Sequence, residues 1–158
     1  SLIYVGEGFA PGESIPYITK ITNCLHEHGY KVSKFTSQET SSERRMIMES
    51  FKEQRIDSLV AMKVLDEGID VPVCRSAFIL ASTRNPRQYI QRRGRVLRKS
   101  LDKNEALIVD FVVLPLPGVV NNISQNLRRA ELKRIDDFKL TAINPEEIDK
   151  KIIELGLY

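Results

Sequence analysis

The chain has 158 residues, with 24 Lys+Arg against 21 Asp+Glu, so its formal net charge is only +3. So small an excess excludes a generally basic protein that coats nucleic acid or membrane through bulk charge. Hydrophobic content of 42% with 28% charged residues is that of a folded globular chain, and no apolar run approaches the roughly 20 residues of a membrane helix. The charge is nevertheless uneven. Seven bases and no acid stand between Arg84 and Lys99, and without that block the rest has 17 bases against 21 acids.

The length fits one domain of roughly 100–150 residues plus an appendage. The opening SLIYVGEGF is no signal peptide; it starts without Met and directly on a strand-like run, as an excised domain of a longer protein would. Cys24 and Cys74 stand fifty residues apart with no CxxC, which reads as two reduced thiols in a cytoplasmic protein.

Leu2–Val5, closed by Gly6, reads as a buried strand. Pro16 sits at a helix start; Ile18, Ile21, Leu25 and His28 form its apolar stripe, and Gly29 ends it. Tyr30–Phe35 alternates as a second strand. Thr40 and Glu43 have capping-box spacing before a helix carrying Ile47 and Phe51. Ile56–Met62 and Ala77–Ala81 are further strands. Asn85-Pro86 starts a helix through the basic block, and Glu105–Val113 is a last strand. Alternating strands and helices predict an open, mostly parallel α/β sheet, with ligands at the carboxyl ends of its strands. Pro115 and Pro117 break the chain. Ser124–Phe138 then reads as a charged helix with Leu127, Ala130, Ile135 and Phe138 inward. In the last helix Asn144 is the cap, Pro145 is N1, Ile143 staples to Ile148, and Ile148, Ile152 and Leu155 face inward up to Gly156.

Four segments are candidate sites. Gly6-Glu7-Gly8-Phe9-Ala10-Pro11-Gly12 follows the first strand, but Pro11 stands where GxGxxG needs glycine and removes an amide, so it reads as a strand-to-helix loop at the ligand edge. His26 and His28 point in different directions on their helix, and no metal site is predicted. Asp66, Glu67, Gly68, Asp70 and Pro72 form a dense acidic loop after an apolar strand, yet the chain has no GxxxxGK[ST] cradle to make it a self-sufficient nucleotidase. In the basic block Gln91, Arg95 and Arg98 fall at i, i+4, i+7, one stripe, while Ile90 and Leu97 form an apolar one. Like charges at this spacing repel, and guanidinium groups so gathered suit a phosphate or carboxylate.

Lys63–Pro72 resembles motif V of the superfamily 2 helicases, and Gln91-Arg92-Arg93-Gly94-Arg95-Val96-Leu97-Arg98 resembles their motif VI, QRxGRxxR. Ala81–Pro86 between them resembles the restriction-subunit and DNA-repair branches. Leu2–Gly6 is similar to the motif IV strand, and Phe35-Thr36 with Glu43-Arg44 to the segment after it. The resemblance covers residues 2–113 and implies the C-terminal, second RecA-like helicase lobe. It divides the chain into a lobe at 1–114 and a helical C-terminal extension at 115–158.

It further implies an ATP site between two lobes. An N-terminal RecA-like lobe of the same parent chain would supply the phosphate cradle, Mg²⁺ ligands and catalytic Glu. Arg95 and Arg98 would be arginine fingers on the γ-phosphate; Gln91 and Arg92 would couple nucleotide to the lobe interface, and Gly68 and Asp70 would approach nucleotide. Nucleic-acid contacts would come from Gly6, Gly8, Thr36 and Lys63. Met62 departs from the Ser or Thr that many members carry before the motif V turn, which leaves the phosphate contact to Lys63 or to backbone amides. Gln91 in place of the His of many RNA-dedicated members favours DNA. Two other classes fit parts of the sequence: a non-catalytic nucleic-acid or protein interaction module that keeps the fold, and a dinucleotide or nucleotide-sugar enzyme on a Rossmann-like sheet.

Overall fold

The computed structural model describes residues 1–62, 74–80 and 103–157. The motif V loop, the helix expected from Asn85-Pro86 and the basic stripe lie outside the described residues. Two compact units divide the chain, Ser1–Phe111 and Val112–Tyr158.

The first unit contains strands β1 (Leu2–Tyr4), β2 (Val32–Phe35), β3 (Ser58–Ala61), β4 (Ser76–Ile79) and β5 (Leu107–Asp110), and helices α1 (Tyr17–Glu27) and α2 (Ser41–Lys52). The strands form one sheet in the order β2-β3-β1-β4-β5, every described pair parallel. Leu2 pairs with Leu59 on one side and Ala77 on the other, so β1 is central. Each strand is shorter than its apolar run. Val5 and Leu80 continue the ladder by single backbone bonds, Val5 N–H to Ala61 O and Leu80 N–H to Tyr4 O.

Period-two alternation sorts the sheet into two apolar faces. Ile3, Val5, Val32 and Val60 pack on one with Ile18 of α1, joined by Ile21, Leu25, Met62, Phe78 and Leu80. Leu2, Tyr4, Phe35, Leu59 and Ile79, of opposite parity, are almost wholly buried on the other. Lys34 shares the α1 face at the sheet edge, and its ammonium donates to Thr19 Oγ1 at 2.9 Å. His28 leaves the stripe on which the sequence reading put it. It is exposed at the α1 C-cap, where its Nδ1 lies 2.8 Å from Cys24 O. At the other edge Leu107 is 61% exposed, so β5 is not the deeply buried strand its composition suggests.

Helix ends follow their local chemistry. Thr40 caps α2 with a full capping box: Glu43 N–H donates to Thr40 Oγ1 and Thr40 N–H donates to Glu43 Oε2 at 2.7 Å. The Thr40 bonds hold the exposed Glu43 carboxyl below the ordinary glutamate range. A depressed folded-state value contributes stability above the unfolded value near 4.5, lost as pH falls through the folded one. Thr40→Ala is expected to cost about 1 kcal/mol at neutral pH and to weaken this acid-side dependence only in part, because Ala keeps the backbone N–H that is its larger cause; urea unfolding across pH 3–6 (roughly, bracketing the carboxylate range) measures both.

Both lobe helices end in Schellman motifs. Gly29 N–H bonds His26 O and Tyr30 N–H bonds Leu25 O around Gly29 at φ +82°. In α2 the equivalent left-handed residue is Gln54 at φ +60°, with Gln54 N–H on Phe51 O and Arg55 N–H on Ser50 O. A side chain there costs energy that glycine avoids. Gln54→Gly is therefore predicted to raise stability by about 0.5–1 kcal/mol, read as an upward shift of the thermal midpoint.

The second unit pairs α3 (Asn122–Lys139) with α4 (Pro145–Glu154). The α3 start lies two residues before the expected one, because Asn121 and Ser124 form a reciprocal capping box. Its buried positions are Ser124, Glu131, Arg134 and Ile135. Glu131 and Arg134 form a buried ion pair, and Ala130 is exposed rather than inward. Ile135, Ile152 and Leu157 make the core, with Val112, Leu114, Leu132 and Ile148 against it. Asn144 is the α4 N-cap and Pro145 is N1, but the Asn144 side chain donates to Glu147 Oε2 instead of accepting from the backbone. Ile143 is 82% exposed, so no staple forms, and Leu155 is exposed too. Leu157 takes the inward place, its N–H on Ile152 O as the chain turns at Gly156. Arg128 Nη1 donates to Gly156 O at 2.7 Å, and Lys139 pairs with Asp149.

Among the described residues no helix is long and apolar enough to cross a membrane.

Candidate functional site

In a parallel sheet every strand delivers its carboxyl end to the same edge. There β1 leads to the Gly6–Gly8 loop, β2 to Thr36, β3 to Met62 and β4 to Leu80. The chain leaves β1 toward β2 on one side and leaves β4 toward β5 on the other. The carboxyl ends of β1 and β4 therefore flank a topological switch point, where open α/β sheets form their ligand crevice.

Of the ten candidate residues, Gly6, Gly8 and Thr36 are described. Lys63, Gly68, Asp70, Gln91, Arg92, Arg95 and Arg98 lie outside the described residues. Gly6 is half-buried directly after β1. Gly8 is exposed at φ +92°, and a Cβ on it would meet no atom within 4 Å. Its glycine is needed for backbone conformation, not for close approach. The loop is pinned beyond it: Phe9 and Pro16 form an antiparallel bridge, Tyr17 N–H donates to Gly8 O, and Glu13 N–H donates to Ala10 O, each 3.0 Å for the last two. Lys20 and Glu13 form an ion pair beside it.

Thr36 is 5% exposed, and its donors are already engaged. Its N–H and its hydroxyl both donate to the Glu39 carboxylate, the hydroxyl at 2.9 Å from Oε2, while Gln38 N–H donates to Thr36 Oγ1. Sequence reading missed Glu39. Its signal was available: Thr36-Ser37-Gln38-Glu39 and Thr40-Ser41-Ser42-Glu43 are two successive T-S-x-E boxes, and the first orders the β2–α2 loop as the second caps the helix.

No group of three His, Cys, Asp or Glu among the described residues is arranged to hold a metal ion. Cys74 is buried, its thiol donating to Ser76 O, and desolvation pushes its pKa up. The Lys103 ammonium, also buried, donates to Cys74 O at 2.7 Å. Both belong to the amino end of β4, away from the ligand edge.

An all-parallel sheet in this order, with helices between its strands and loops gathered at one edge, defines a RecA-like lobe. The family described as "Helicase conserved C-terminal domain" matches residues 12–100, more than half of the chain, and the chain belongs to that family. It is 37% identical over 89 residues to the DNA 3'-5' translocase XPB2 of Sulfurisphaera tokodaii, covering 52% of this chain and 20% of that protein. It is 30% identical over 141 residues to UvrABC system protein B of Edwardsiella ictaluri, covering 85% of this chain and 20% of the relative. The chain thus spans about a fifth of the length of these curated relatives. The C-terminal domain of the DEAD-box protein Dbp5 shares the fold at TM-score 0.54 and 23% identity, over 87% of this chain and 71% of that one. Dbp5 of S. cerevisiae bound to RNA and ADP BeF3 gives 0.58 at 21% identity, over 98% of this chain and 37% of that one. This is the superfamily 2 helicase C-terminal domain that motifs V and VI imply.

Proposed function

We propose that the chain is the second motor lobe of an ATP-dependent nucleic-acid helicase or translocase, and that it contributes arginine fingers to an interlobe ATP site. The observation that carries this is the family match across 12–100, which includes both Lys63–Pro72 and Gln91–Arg98. Arg95 and Arg98 stabilise the charge that develops on the γ-phosphoryl group, a task suited to a planar, permanently charged fork. Gln91 and Arg92 relay nucleotide state to the lobe interface, and Gly68 and Asp70 approach the nucleotide. The phosphate cradle and Mg²⁺ ligands belong to an N-terminal lobe of a longer polypeptide.

Nucleic acid passes along the carboxyl edge, over the Gly6–Gly8 loop and Lys63. Thr36 supports that edge through Glu39 instead of offering a free hydroxyl. Gln91 does not decide between DNA and RNA. One relative is named a DNA translocase, but a neighbour in fold is bound to RNA, so the proposed track is a nucleic-acid strand of either kind.

A thermal-shift titration of the 158-residue chain with ATP and with NAD separates this reading from a self-contained nucleotide enzyme. Half an ATP site gives no shift at micromolar nucleotide. A saturable stabilisation, which would follow RT ln(1 + [L]/Kd), contradicts it.

A further inference from the structure

We draw no further inference here: the strongest candidate, the Arg44 guanidinium in the first turn of α2 with its buried Nε unpartnered among the described residues, belongs to the nucleic-acid edge already proposed and rests on a helix N-terminus with nothing beside it that points to a second ligand.

Discussion

Arg98→Ala in the intact protein is expected to lower ATP turnover by about a thousandfold or more, the magnitude associated with an arginine finger. The residue ends the stripe Gln91, Arg95, Arg98, and the proposed function gives it the γ-phosphate as its partner. The loss should fall on kcat, because the guanidinium acts most strongly on charge present only in the transition state. Arg98→Lys should recover little, since an ammonium cannot reproduce the planar fork. Binding to single-stranded oligonucleotide should stay near wild type. Steady-state ATPase kinetics with a binding titration separate these effects, and a kcat near wild type would remove Arg98 from the site.

Phe35→Ala should be the most damaging conservative truncation in the lobe, costing about 3–5 kcal/mol. Phe35 is fully buried on the sheet face opposite α1, and its strand pairs along its whole length with β3. Truncation leaves a cavity that close-packed neighbours fill only in part. Total stabilities are roughly 5–15 kcal/mol, so the loss is a large share of what holds the domain. Urea unfolding of wild type, Phe35→Ala and Phe9→Ala makes the comparison internal. The buried phenylalanine should shift the midpoint strongly, and the exposed one should stay within about 0.5 kcal/mol.

What was legible in the sequence was chiefly local. The Thr40–Glu43 box, the glycine after α1 and the proline opening α4 each act within one helical turn, so their chemistry is written in adjacent residues. Apolar runs gave the strands and their parallel class, but not their ends. Ladder pairing stops where the neighbouring strand stops, and for β5 that is Asp110, after which Val112 and Leu114 join the helical cluster. The second unit was the harder one to read. Glu131 and Arg134 look like a solvated face, yet they are buried as a pair, a solution that costs desolvation and cannot be inferred from amphipathic spacing. Ile143 has the right spacing for a staple but stays exposed and does not make one.

At the site the motifs identified the family, while composition alone located only a basic stripe. Thr36 shows what spacing cannot supply. A threonine at a ligand edge reads as a phosphate donor, but its two donors are spent on Glu39.

The central claim is that this lobe works as half of a nucleic-acid-coupled ATP motor. ATP hydrolysis by the intact protein, measured with and without saturating single-stranded oligonucleotide, tests it most directly. Turnover should rise severalfold or more with the strand and be abolished in Arg98→Ala. Absence of hydrolysis in both conditions, with the strand still bound, would contradict it and leave a binding module that has kept only the helicase fold.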